Sequence, residues 1–194
     1  MIARQDACES LELEKEATVR DHSLPPCLYL FTGISFAGKS VLACQLAEHL
    51  GVPRVDPDEV SHRLGLGLAG EFLSDAQWAR IHTMAEEAAC AHLRAGVSVV
   101  YDTTAFTRRQ RDALRDLAQS CGATTQLIFV DTPRELAYQR WLANERTRER
   151  PRVHPDDFTM VADRFEPPGR DEYALRFTPE DDVNAWIAAR IDSA

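Results

Sequence analysis

Apolar positions along the chain fall into short dense runs, separated by stretches in which they recur every three or four residues. The run Cys27–Thr32 (CLYLFT) is rich in strand formers and stops at Gly33, which predicts a buried strand. Over residues 40–50 the side chains of Val41, Leu42, Leu46 and Leu50 keep helical spacing, and Gly51 supplies a natural stop. Residues 52–56 read as a second short strand. Residues 75–95 read as a long helix with Ile81, Met84, Ala88 and Leu93 on one side and Gly96 at its end. A third apolar run, 97–101, is closed by Asp102. The alternation continues with a helix over 109–120, a strand over 125–130 and a helix from Pro133 to about residue 150. Pro151 and Pro155 interrupt it, and a further helix covers 155–165. A fifth strand over 173–177 and an amphipathic helix over 180–191 complete the chain. Strands alternating with helices in this way predict an α/β fold, with a parallel sheet covered on both faces.

The chain has 194 residues, enough for one domain that folds without disulfides or a structural metal. Residues 1–24 form an acidic, weakly periodic extension, either a helix or disordered. Pro25 and Pro26 separate it from a domain over 25–194. No apolar run reaches the roughly 20 residues of a membrane span, and the charged N-terminus lacks the apolar stretch of a secretory signal. Five scattered cysteines, never spaced C-x-x-C, suit a reducing compartment, so a cytoplasmic location is expected. Acids outnumber bases 31 to 22, giving a net charge of −9. That balance argues against a general nucleic-acid or membrane-surface binder, whose affinity rests on a basic face. It leaves room for a local cationic pocket and for a small-molecule partner.

Such a pocket has an address. Gly33-Ile34-Ser35-Phe36-Ala37-Gly38-Lys39-Ser40 fits G-x-x-x-x-G-K-[ST], and it sits between a predicted strand and a predicted helix, as the motif demands. The glycines let successive N–H groups turn inward as an anion nest, and the helix that includes Val41 aims its positive end at the phosphates. Lys39 then reaches the β and γ phosphates, and the Ser40 hydroxyl serves as a Mg²⁺ ligand. The segment therefore predicts a nucleoside triphosphate site, for ATP or GTP with Mg²⁺. Lys39 is one of only two lysines against twenty arginines.

Two carboxylate positions accompany it. Asp102 ends the third strand, at the edge where open α/β sheets bind ligands; it either holds Mg²⁺, directly or through water, or caps the turn Asp102-Thr103-Thr104. After the second strand, Val55-Asp56-Pro57-Asp58-Glu59-Val60 offers either a base for an acceptor hydroxyl or a helix start capped by Asp56. Residues 134–152 hold six arginines (134, 140, 146, 148, 150 and 152), a cationic flap able to close over a triphosphate, or a solvated helix face paired with glutamates. Arg108, Arg109 and Arg111 follow Asp102-Thr103-Thr104 and are candidates for substrate anions. The six histidines show no metal-ligand spacing, and no serine lies in G-x-S-x-G.

The succession GISFAGKS, VDPDEV, VSVVYDTTAFTRRQRDALRDLA and LIFVDTPRELAYQRW resembles the small P-loop kinases of the AAA_33/zeta-toxin-like group. Its relatives include 5′-polynucleotide kinase domains, chloramphenicol phosphotransferase and gluconate kinase-like enzymes. The resemblance covers roughly residues 27–192. It implies a P-loop NTPase fold with a five-stranded parallel sheet in the order 2-3-1-4-5, flanked by helices, with a helical lid after strand four at about 140–158. It implies a kinase that moves the γ-phosphoryl of ATP to a hydroxyl of a small metabolite, natural product or nucleotide-linked sugar. A 5′-hydroxyl polynucleotide kinase, a zeta-type toxin and a nucleotide-gated regulator share the same motifs. On this resemblance Asp58 is the general base, Arg63 the arginine that follows it, and Asp102, Thr103 and Thr104 the motif after strand three. Arg140, with one or more of Arg146, Arg148 and Arg150, corresponds to the lid arginines. Pro57 departs from the group's usual serine or arginine, and the loop Ile34–Ala37 has no glycine at its third or fourth variable position, Phe36 or Ala37, where many relatives do.

Overall fold

The computed structural model describes residues 24–66, 73–148, 150 and 152–192. Residues 1–23 of the acidic extension, and residues 67–72 in the middle of the chain, lie outside the described residues. In chain order the elements are β1 (Cys27–Thr32), α1 (Lys39–Leu50), β2 (Arg54–Val55), α2 (Pro57–Arg63), α3 (Asp75–Arg94), β3 (Val99–Tyr101) and α4 (Arg108–Ser120). There follow β4 (Thr124–Val130), α5 (Arg134–Thr147), α6 (Pro155–Arg164), β5 (Leu175–Phe177) and α7 (Val183–Arg190). The sheet runs β2-β3-β1-β4-β5 with every neighbouring pair parallel. This is the expected order 2-3-1-4-5.

Strand alternation splits the core into two layers. Leu28 and Leu30 of β1, Val99 and Tyr101 of β3 and Leu127 of β4 face the layer that contains Ile81, Ala85 and Leu93 of α3 and Leu114 and Ala118 of α4. Phe31, Val100, Ile128 and Val130 face the opposite layer, with Leu42 and Leu46 of α1, Trp141 of α5, Phe158 of α6 and Trp186 of α7. Strands buried on both faces read as continuous apolar runs, which is why those runs were so visible in the sequence. The thiols of Cys90 and Cys121 meet at 2.7 Å, where α3 packs beside the end of α4.

Element ends differ from the periodicity where side chains take over the backbone. β2 shrinks to two residues because Asp56 leaves the strand to cap α2, its Oδ1 accepting the Asp58 N–H at 2.8 Å. At the other end, Asp181 accepts from both the Thr178 N–H (2.6 Å) and hydroxyl (2.9 Å), so α7 starts only after Asp182. A 3-10 turn at Arg170–Glu172 and a left-handed Tyr173 shorten β5 to Leu175–Phe177.

Gly33 follows directly on β1, beside Val130 at the end of β4. Its φ is +150°, and a Cβ there would lie 2.7 Å from the Val130 carbonyl oxygen, a backbone atom that cannot swing away. Gly33→Ala is therefore expected to cost about 1–3 kcal/mol in urea unfolding and to weaken nucleotide binding with it. Unfolding at the wild-type urea midpoint would contradict this.

Candidate functional site

The loop between β1 and α1 is built around its carbonyl groups. Arg140 of α5 donates from Nη1 to the carbonyls of Ala37 (2.8 Å) and Phe36 (3.3 Å), and the Thr132 hydroxyl donates to Ala37 at 2.7 Å. Gly33 N–H donates to the Thr104 carbonyl at 3.2 Å, and the Thr32 hydroxyl to those of Thr104 (3.1 Å) and Ala105 (3.0 Å). The segment after β3 thus braces one end of the loop and the start of α5 the other. The N–H groups of Ser35, Phe36, Gly38, Lys39 and Ser40 have no acceptor among the described residues. With α1 beginning at Lys39, this is an anion nest at a helix N-terminus.

Phe36 adopts φ +61°, a left-handed conformation that costs a non-glycine residue about 1–2 kcal/mol. Its ring lies 6.5 Å from that of Phe158, which itself stacks on Trp141 at 5.6 Å. The aromatic contact offsets the strain and seats α6 against the phosphate loop. Trp141 Nε1 donates to the Val153 carbonyl at 3.0 Å, and the buried Asn144 bonds both backbone groups of Arg150 (2.9 and 3.2 Å). These contacts tie the turn between α5 and α6 to α5.

Lys39 is buried, and its Nζ donates to the Ile34 carbonyl at 2.8 Å. Burial lowers its pKa to about 8, while the carboxylates of Asp102, Asp58 and Asp56 pull the other way. Asp102 is buried just past the end of β3, with the Ser40 hydroxyl near its carboxylate. Burial, then the charge of Asp56, raises its pKa. Asp58 is exposed in the first turn of α2, with protein atoms displacing part of the water around its carboxylate. That crowding and the neighbouring Asp56 push its pKa up to about 6, against the opposing pull of Lys39. The sheet edge therefore gathers the three acids around one ammonium group. Ser40 and Asp102 present two hard oxygen donors side by side, which fits Mg²⁺.

The remaining sequence candidates divide. Thr103 and Thr104 are half-buried, and Thr104 acts through its carbonyl as described above. Arg63 is exposed at the end of α2 and forms no ion pair among the described residues. Arg140 reaches the phosphate loop, whereas Arg146 and Arg148 are exposed at the far end of α5, Arg148 as its left-handed cap. Arg108 pairs with Asp171 at 2.6 Å and with Asp112 at 3.4 Å.

The expectation that Arg111 contacts substrate is corrected. Its side chain is fully buried, and it pairs with Glu172 through Nε and Nη2 (2.8 Å each) and with the carbonyls of Ala105 and Glu166 through Nη1.

Two residues at the edge escaped the sequence reading. Thr132, two residues past the end of β4, was not singled out as a site residue. Arg54 extends from β2, and its Nη1 donates to Asp56 Oδ2 and Asp102 Oδ2, each at 2.7 Å, while Nη2 pairs with Glu59. Its signal was present: in a strand, residues 54 and 56 share a face.

The chain resembles known proteins in sequence and in fold. The sequence profile of the family AAA_33, described as an AAA domain, matches residues 28–168. Adenylyl-sulfate kinase of Saccharomyces bayanus is 30% identical over 155 residues, covering 77% of this chain and 75% of the relative. Among solved structures, the Mycobacterium tuberculosis APS kinase in complex with AMPPNP and APS superposes with a TM-score of 0.62 at 23% identity, covering 86% of this chain and 95% of that one. A gluconokinase from Sinorhizobium meliloti does so with a TM-score of 0.59 at 18% identity, covering 87% and 95%. No helix among the described residues is long and apolar enough to cross a membrane.

Proposed function

Because the chain belongs to the AAA_33 family and is a P-loop kinase of small-molecule hydroxyl groups, using ATP and Mg²⁺, we propose that its acceptor is a sugar hydroxyl of an anionic nucleotide of the adenylyl sulfate type. The observation that carries this reading is the placement of Asp58, a solvent-exposed carboxylate in the first turn of α2, within electrostatic reach of the buried Lys39. Phosphoryl transfer asks little covalent chemistry of a protein, and mostly needs positioning, charge neutralisation and a group to take the acceptor proton.

In this reading Asp58 accepts the hydroxyl proton as the oxygen attacks the γ-phosphorus. The nest of N–H groups holds the phosphate chain, and Lys39 turns from the Ile34 carbonyl to the transferring phosphoryl. Arg140 keeps the loop in shape from behind. Ser40 and Asp102 would hold Mg²⁺, which would neutralise charge on the phosphates. The exposed Arg63, on the same helix as Asp58, supplies charge for an anionic acceptor group. The 30% identity to an adenylyl-sulfate kinase favours this acceptor class over sugar acids.

The test is ADP release by the full chain with ATP and Mg²⁺ and, in separate reactions, adenylyl sulfate, gluconate, a 5′-hydroxyl oligonucleotide or no acceptor. Adenylyl sulfate is expected to give kcat/KM at least about tenfold above the other two, a difference of roughly 1.4 kcal/mol in transition-state stabilisation. Preference for gluconate or the oligonucleotide would replace the proposed acceptor class.

A further inference from the structure

Asp56 and Asp102 each follow directly on the last residue of two neighbouring parallel strands, β2 and β3. Arg54 pairs in register with Val100 and Val55 with Tyr101, so the next step along both strands sets the two aspartates beside each other, on the face that looks toward α1. Two carboxylates at that spacing repel unless a cation lies between them. Arg54 is that cation. It starts two residues before Asp56 on the same face and runs forward along its own strand, so one nitrogen bridges both carboxylates at 2.7 Å. Its side chain is 18% exposed, so water screens the contact only in part.

What these carboxylates do with their other contacts gives the bridge its meaning. Asp56 uses its second oxygen to cap α2 at the N–H of Asp58, so the oxygen that Arg54 grips belongs to the group that sets the start of that helix. Asp102 lies near the Ser40 hydroxyl, at the phosphate side of the site. Arg54 is therefore the one side chain among the described residues that bonds both the acceptor-side and the phosphate-side carboxylate. Lysine carries the charge but lacks the planar fork that also reaches Glu59 through its second terminal nitrogen.

We propose that Arg54 is a positioning residue for phosphoryl transfer: by bridging Asp56 and Asp102 it fixes Asp58 relative to the Ser40–Asp102 pair. The assignment of roles to Asp58, Ser40 and Asp102 rests on the functional reading above, but the bridge itself does not. Arg54 touches no reacting atom. Its removal lets two like charges separate, carrying Asp102 away from Ser40 and loosening the start of α2. Outer partners of this kind typically contribute about 10- to 100-fold to metal affinity or activity.

The test compares the full chain with Arg54→Gln and Arg54→Lys in three measurements. These are urea unfolding, ADP binding by titration calorimetry with and without Mg²⁺, and transfer to whichever acceptor the wild type accepts. Arg54→Gln is expected to bind ADP without Mg²⁺ as the wild type does. It is also expected to lose about 10-fold or more of the Mg²⁺-dependent gain in affinity. At saturating Mg²⁺ its kcat should fall about 10- to 100-fold with KM for ATP within about threefold, a split that a loss of fold would not produce. Arg54→Lys should fall between the two. A folded Arg54→Gln with wild-type Mg²⁺ dependence and wild-type kcat overturns the proposal. If Arg54→Gln does not fold, Arg54→Lys decides, and its equality with wild type in both measurements overturns the proposal. Should the wild type phosphorylate no acceptor, the kinase roles fail, while the Mg²⁺-dependent binding still decides whether Arg54 places Asp102.

Discussion

Asp58→Asn is expected to lower acceptor-dependent kcat about 10²- to 10⁴-fold while leaving ATP binding near the wild-type value. Asparagine keeps the size of the side chain and, through the unchanged backbone, the N–H that Asp56 caps, so α2 should start as before. What disappears is the oxygen able to take a proton. The same residue predicts the acid limb of the pH profile. With its pKa pushed up to about 6 by crowding and by Asp56, Asp58 is a carboxylate above that pH and a carboxylic acid below it. Transfer should therefore fall by about tenfold per unit as pH drops below 6, and rise to a plateau above it. In Asp58→Asn that limb should vanish along with most of the rate. Steady-state kinetics over pH 5 to 8 would check both, and an unchanged acid limb in a slow Asp58→Asn enzyme would remove Asp58 as the base.

How far the site was readable follows from how local each part is. The segment from β1 through Lys39 and Ser40 was legible because the whole device is contiguous: strand, turn and helix start occupy fourteen residues (27–40). The sheet order was legible only through resemblance, since alternation predicts a parallel sheet without ordering its strands. Arg54 was missed because its partner Asp102 is 48 residues away and meets it only once β2 and β3 are in register. Thr132 and Arg140 act on the carbonyls of Phe36 and Ala37, about a hundred residues earlier, and no sequence spacing records such contacts. Arg111 is a different kind of miss. Read next to Thr103-Thr104 it suggested substrate contact, yet it stands three residues before Leu114 and seven before Ala118, the inward face of α4. Helical periodicity already placed it in the core; the acid that makes this tolerable, Glu172, lies 61 residues on.

That buried pair yields the largest expected effect on stability. Arg111→Ala should destabilise the fold by about 3–5 kcal/mol, because it leaves the Glu172 carboxylate, with its side chain 1% exposed, short of its principal partner. Against the 5–15 kcal/mol typical of whole domains, such a loss is a large fraction. Burial alone would raise the pKa of Glu172, but hydrogen bonds from Arg111, Arg115 and the Gly169 N–H outweigh it and hold the value at about 2. A depressed carboxylate pKa stabilises the fold fully above the unfolded value of 4.5, and that contribution is lost as pH falls from 4.5 toward 2. Acid unfolding of the wild type should draw on this window, and Arg111→Ala should unfold at higher pH. The consequence reaches the phosphate loop. Arg111 also donates to the Ala105 carbonyl at 3.2 Å, the same oxygen that takes the Thr32 hydroxyl, in a residue held at φ +36°. Freed of Arg111, that turn should relax and the brace on Gly33 with it. Arg111→Ala at a temperature where it remains folded should therefore bind nucleotide more weakly than wild type, although Arg111 touches no ligand. Urea unfolding at pH 7, an acid titration and ADP binding test the three parts. A variant within about 1 kcal/mol of wild type would show that Arg115 and the Gly169 N–H suffice to hold Glu172.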